Sequence, residues 1–180
     1  PHFMALSETS PLPLIIDNDP HRRGFGLDSA LLKSLYTSLK ESLGEHNSLR
    51  AVRHSLRPGE DWASVLADSP LNVLCGDDTQ LHAFLKEGGK AVACAVAQLA
   101  PGLMCRMLSP TALLSKYDDV FLQRCLNMLG GASTIAALKY HLSELGLVRN
   151  ELRTPLEALS YNEAWTSNIE GPTRIQRGGT

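Results

Sequence analysis

The chain has 180 residues, 43% hydrophobic and 20% charged, enough for one domain with a real core and ordinary for a globular protein. A formal net charge of −2 gives no electrostatic footprint for nucleic acid or an anionic membrane surface, so neither is expected as a partner. The longest apolar stretches, such as Ala91–Ala97, fall far short of a membrane span.

The chain opens with Pro1-His2-Phe3, which is not an initiator, and Phe3–Glu8 reads as the last turns of a helix. The expectation is a start inside a longer protein. Leu12–Ile16 is a continuous apolar run after Pro11, as in a strand buried on both faces, and it ends in the polar turn Asp17-Asn18-Asp19-Pro20. Asp28 or Ser29 then caps a helix over Ala30–Ser42, with Leu31, Leu32, Leu35, Tyr36 and Leu39 at helical spacing. A second unit follows: strand Leu49–Arg53, turn Leu56–Gly59 and helix Glu60–Ala67. The third is strand Asn72–Cys75, turn Gly76-Asp77-Asp78 and helix Thr79–Glu87. The fourth is strand Ala91–Val96, the segment Gln98–Gly102 and helix Leu103–Leu108. Alternation at this spacing suits parallel βαβ crossovers, and four such units make half of an eight-stranded barrel.

The remainder reads as helical. Pro110–Leu129 and Thr134–Gly146 are amphipathic, separated by Gly130-Gly131, with Gly146 as a helix stop. The tail from Tyr161 to Thr180 has few large apolar residues and is expected to be extended over the surface or loosely ordered. The predicted organisation is therefore an α/β half barrel over 1–109, a helical extension over 110–160 and a tail over 161–180. Cys75, Cys94, Cys105 and Cys125 show no CxxC spacing, so reduced and mostly buried thiols in a cytoplasmic protein are expected, with no metal site and no cofactor. A half barrel would leave its outer strands unpaired. A preceding N-terminal half, a partner subunit or a second copy must cover them.

Four stretches carry a resemblance. Leu12–Gly24 resembles the fifth strand and Tyr-Asn-x-Pro-Gly-Arg-Thr-Gly loop of the dihydrodipicolinate synthase / N-acetylneuraminate lyase family. Val73–Asp78 resembles that family's seventh strand and Gly-Asp-Asp turn, and Gly88–Pro101 its eighth strand and following Asn-x-x-Pro. Ala137–Leu147 with Arg153-Thr154-Pro155-Leu156 resembles its C-terminal helix and Arg-x-Pro-Leu ending. The four agree in order and spacing over residues 3–160. The resemblance implies the C-terminal half of a (β/α)8 barrel with a helical extension, assembled as a dimer or tetramer. It also implies lyase chemistry of the aldolase type: a strand-six lysine forms a Schiff base with pyruvate or a related 2-oxo acid, a strand-five tyrosine shuttles protons, and a loop arginine meets a carboxylate.

The sequence departs from that pattern where the chemistry would sit. The lysine position falls on Arg53, and no lysine lies between Lys40 and Lys86 to take its place. A lysine amine can lose its proton and attack a carbonyl; a guanidinium stays protonated at any working pH. The tyrosine position falls on Asp17, and His21 and Arg23 replace the loop glycine and threonine, while Arg22 keeps the arginine position. The Schiff-base route therefore reads as closed. Arg22, Arg23, Arg53 and His54 could converge on a small anionic metabolite resembling a 2-oxo acid, with His21, Asp17, Gly76 and Ala93 alongside. Two alternatives stand beside this. Asp17 and Arg53 could pair across adjacent strand ends and fill the site, or Asp17 with His21 or His54 could run a new acid–base reaction. At the level of the whole protein, the competing readings are an active lyase completed by another half, and a non-catalytic structural subunit.

Other residues read as structural. Asp77 or Asp78 suits a helix cap better than a metal site. His82 and His141 suit surface or packing positions, and Trp62 packs its helix on the barrel.

Overall fold

The computed structural model describes residues 2–130 and 133–166. Gly131 and the tail from 167 onward lie outside the described residues. By internal packing the chain divides into two compact units, Pro1–Cys94 and Ala95–Thr180.

The first unit opens with α1 (His2–Thr9) and contains a three-stranded parallel sheet in the order β1 (Leu14–Asn18), β2 (Leu49–His54), β3 (Asn72–Cys75). Between β1 and β2 run the short α2 (Pro20–Arg23) and the long α3 (Ser29–Leu43); α4 (Trp62–Asp68) joins β2 to β3, and α5 (Leu81–Lys86) follows. Aspartates start these helices. Asp28 Oδ1 accepts from the Leu31 N–H at 2.7 Å, Asp61 Oδ1 from Ser64 at 2.8 Å and Asp77 Oδ1 from Thr79 at 2.8 Å, each satisfying a backbone donor of a first turn. The helix expected from Thr79 begins as a 3-10 turn over Asp78–Gln80, and the one expected from Glu60 begins two residues later, at Trp62.

The helix-facing side of the sheet forms the core with Ile16, Val52, Leu32, Leu39, Trp62, Val65, Leu81 and Phe84, all buried. Trp62 and Phe84 meet edge to face with centroids 4.8 Å apart, so α4 is packed as its sequence predicts. Gly89 has its place because of Phe84: a Cβ there would sit 2.2 Å from the ring.

Two expectations about strands need correction. β1 is not buried on both faces, since Ile15 is 57% exposed while Ile16 is 6% exposed. The strand lies at the sheet edge, and no described residue covers the side that carries Ile15. The fourth strand is a single bridge, Cys75 to Val92, made by the Cys75 N–H to Ala91 O (3.0 Å) and the Ala93 N–H to Cys75 O (2.9 Å). Ala91, Ala93 and Ala95 have little strand preference, and helix α6 already starts at Val96.

The second unit is helical: α6 (Val96–Leu99), α7 (Pro101–Leu108), α8 (Lys116–Leu129), α9 (Thr134–Glu144) and α10 (Tyr161–Thr166). Val96, Leu103, Leu122, Leu129, Ala136 and Ala137 fill its interior. α8 starts at Lys116, later than the expected Pro110, where Ser115 and Asp118 form a capping box. Gly146 ends α9's last turn at φ +71°, the left-handed conformation its sequence position suggests. The tail expected to be extended forms a helix at Tyr161–Thr166.

The cysteines form no disulfide among the described residues. Cys75 and Cys125 are buried as expected, but Cys105 is exposed. Burial pushes the Cys75 thiol up to about 11, so it stays protonated at neutral pH. No helix among the described residues is long and apolar enough to cross a membrane.

Candidate functional site

The carboxyl ends of the three strands converge, the end where ligands meet parallel α/β sheets. Parallel register sets Asp17 beside Arg53 and Asn18 beside His54. Successive strand residues point to opposite faces, so these two pairs face opposite ways.

On the open face, Arg53 is held on every edge of its guanidinium. Nη1 donates to Asp17 Oδ1 at 2.6 Å and lies 3.5 Å from Asp19 Oδ2. Nε donates to the Ala93 carbonyl at 2.9 Å, and Nη2 donates to the Gly76 carbonyl. Gly76 leaves room for this, because a Cβ there would stand 2.9 Å from Arg53 Cζ. Arg23 closes the far side of Asp17, with Nη2 to Oδ2 at 2.6 Å. Asp19 caps α2 by accepting from the Arg22 N–H at 3.2 Å, and its other oxygen lies 3.4 Å from Arg22 Nε. Pro20 at the first helical position and Gly24 at φ +75° fix this one-turn helix, which sets Arg22 and Arg23 on the rim.

Partial burial works against the ionised Asp17, but hydrogen bonds and charge from Arg23 and Arg53 outweigh it and hold its carboxyl below the usual range. Burial likewise opposes the charge on Arg53, yet Asp17 and Asp19 together raise its pKa above an ordinary guanidinium's. The arrangement is an ion-pair cluster of three arginines and two aspartates. The guanidinium at its centre has its donors committed to the protein.

On the opposite face, His54 is only 2% exposed and does not reach the cluster. Its surroundings fix its tautomer. Asn18 Oδ1 accepts from the Leu27 N–H and Asn18 Nδ2 donates to the Leu27 carbonyl, both at 2.8 Å, which sets the amide's orientation. Nδ2 therefore donates to His54 Nδ1 at 2.8 Å, leaving Nε2 to carry the hydrogen toward Glu60 Oε2 at 3.2 Å. Glu60 also accepts from the Arg57 backbone and guanidinium at 2.9 Å. This buried network ties the loop after β1 to the loop after β2.

Burial pushes the His54 pKa down, and the nearby Glu60 carboxylate offsets this only in part. Because the folded-state pKa is the lower one, the unfolded chain takes up the proton first as pH falls. Stability from this site is therefore present above the ordinary histidine pKa of about 6.5 and is lost below it. Urea unfolding between neutral pH and pH about 5.5 should show stability falling, and His54→Gln should flatten that fall.

Of the residues singled out in the sequence, Asp17, Arg53, Arg22, Arg23, Gly76 and Ala93 come together, the last two through their carbonyls. His54 lies on the other face. His21 sits exposed with Nε2 3.3 Å from the Leu56 carbonyl, outside the cluster. Sequence reading missed Asp19 and Glu60. An Asp before a Pro at a predicted turn is an N-cap signal, which could have marked Asp19. Glu60 carries no local signal, since its partner His54 is fixed only by the fold.

A model of the dihydrodipicolinate synthetase family matches residues 1–168. The chain belongs to that family. It is 27% identical over 172 residues to the 4-hydroxy-tetrahydrodipicolinate synthase of Rhizobium meliloti, covering 88% of this chain and 54% of the relative. The corresponding enzyme of Gluconobacter oxydans is 29% identical over 163 residues, covering 86% and 52%. The chain thus spans about half the length of the curated relatives it matches. Among solved structures it is similar to a chloride-inhibited dihydrodipicolinate synthase from Acinetobacter baumannii complexed with pyruvate. That likeness has TM-score 0.73 and 21% identity, over 90% of this chain and 55% of the other. A dihydrodipicolinate synthase from Agrobacterium tumefaciens gives TM-score 0.72 at 24% identity, over 91% and 56%. These likenesses establish the fold of this dihydrodipicolinate synthetase family member: an α/β portion with a parallel three-stranded sheet, matching about half of those structures.

Proposed function

We propose that this chain is the C-terminal half barrel of a family member that does not condense with 2-oxo acids. Such a chain holds a small 2-oxo acid-like anion by charge alone. The observation that carries the reading is the Arg53 guanidinium, fixed at the strand end by Asp17, Asp19 and two backbone carbonyls. Condensation needs a neutral amine within reach of a carbonyl carbon. Arg53 supplies none, and the paired carboxylates hold its charge more firmly still.

Arg53 itself has little left to offer an anion. The rim does: the Arg22 and Arg23 side chains are 66% and 56% exposed, and each spends one edge on a carboxylate. Three arginines against two aspartates leave one net positive charge. A weak, salt-sensitive site for a monovalent carboxylate follows. In an NMR titration with pyruvate, amide signals around Pro20–Gly24 should shift in fast exchange, with an affinity no tighter than about millimolar. Arg22→Ala with Arg23→Ala should abolish the shifts. Unchanged shifts in that variant would sink the rim site.

Coverage of about half of each relative and the open side of β1 support completion of the barrel by an N-terminal half, within one chain or from a partner subunit. Self-association as a dimer or tetramer belongs to the same proposal.

A further inference from the structure

The Arg153-Thr154-Pro155-Leu156 ending plays no part at the strand ends. It belongs to the second unit, and there it helps to close a cavity. Gly146 turns the chain back at the end of α9, and the Leu147 N–H donates to the Leu142 carbonyl at 3.0 Å. The segment that follows returns to the helix, where Lys139 Nζ donates to the Glu151 carbonyl at 2.6 Å. Two further bonds hold it: Asn150 Nδ2 donates to the Leu159 carbonyl at 3.0 Å, and the Leu156 N–H to the Arg153 carbonyl at 3.1 Å. Helix and segment together line a cavity of about 450 Å³ with Lys139, Val148, Arg149, Glu151, Leu152 and Arg153.

The charges around this cavity do not balance. Three cations face one carboxylate, an excess of two positive charges. The one ion pair is loose: Arg149 Nη1 lies 3.9 Å from Glu151 Oε1, with side chains 85% and 73% exposed. Such a pair contributes little and opens at little cost. Lys139 leans on a neutral carbonyl, and no carboxylate among the described residues pairs with Arg153.

We infer that this cavity binds a small organic dianion, a dicarboxylate or a phosphate monoester with an apolar body, at a site separate from the Arg22 and Arg23 rim. The charge excess matches two negative charges. Guanidinium forks and an ammonium suit carboxylate and phosphate oxygens alike. The volume lies in the range of small-molecule sites and exceeds what a bare inorganic anion fills. Val148 and Leu152 give the wall apolar surface for the organic part. Glu151 competes for Arg149 until the ligand displaces it.

The test is an NMR titration of the 180-residue chain with glutarate, phenyl phosphate and sulfate at matched ionic strength, read at the amides of Lys139 and residues 148–153. Glutarate or phenyl phosphate should shift these signals to saturation, and the tighter of the two names the head group. Sulfate should bind at least about tenfold more weakly, since it has no apolar part. Arg149→Ala with Arg153→Ala should weaken binding at least about tenfold. Glu151→Gln keeps the carbonyl that Lys139 uses but removes the competing charge, so it should tighten binding about threefold. Circular dichroism verifies the fold of each variant. Arg22→Ala with Arg23→Ala should change nothing at these amides, which keeps failure here distinct from failure of the rim site. No saturable shift with either organic dianion overturns the site. Sulfate binding as tightly as both overturns the organic ligand. Binding indifferent to the paired arginine replacement, or weakened by Glu151→Gln, overturns the role given to these charges.

Discussion

Replacing Arg53 with alanine is expected to lower unfolding free energy by about 2–3 kcal/mol, measured by urea denaturation at neutral pH. The loss has two sources. The Gly76 and Ala93 carbonyls lose their donor, and Asp19, whose side chain is 7% exposed, is left with Arg22 alone. Asp17 is 40% exposed and keeps Arg23, so solvent screening holds the cost below that of a fully buried pair. Arg53→Lys should recover only part of it, because one ammonium cannot span two carboxylates and two carbonyls. Nor should it restore condensation. An amine between Asp17 and Asp19 is held in its charged form, whereas imine formation needs burial without such partners.

A larger loss, about 3–4 kcal/mol, is expected for Phe84→Ala. Phe84 is fully buried, packs edge to face on Trp62 and fills the space left by the missing side chain of Gly89. Trp62 in turn lies edge to face with His54, at 5.8 Å, so the cavity opens one ring away from the Asn18–His54–Glu60 network. The same urea measurement reads the stability. The His54 ring signals in NMR report whether the loops above have shifted.

Much of the fold was readable in the sequence where local chemistry and burial agree. The strand at Asn72–Cys75 is bounded by Pro70 and Gly76, and helix α3 carries an aspartate cap and leucines at helical spacing. The failures share a cause. Leu12–Ile16 was expected to be buried on both faces because a continuous apolar run means that inside a closed barrel; here one side of β1 is open. Ala91–Val96 looked like a strand by its place in the alternation. Its alanines form one bridge and then yield to α6.

The site divides the same way. The Asp17–Arg53 juxtaposition could be anticipated, since both end adjacent parallel strands. That His54 turns away from Arg53 follows from strand alternation, which argues against both converging on one ligand; its network with Asn18 and Glu60 is what no spacing reveals. Arg53's two carbonyl partners come from Gly76 and Ala93, one beyond each of two later segments. Both residues are expected beside the site from sequence, and the missing Cβ of Gly76 is the trace of its close approach to Arg53; that they act through their carbonyls is not written in residue type.

The central claim is that the amine needed for carbonyl capture is missing from the strand end, its place taken by a fixed guanidinium. Incubating the protein with pyruvate and borohydride, followed by intact-mass measurement, tests it directly. The account predicts an unchanged mass. A stable increment matching one reduced pyruvate imine, located by peptide mapping to a lysine of the first unit, would contradict it.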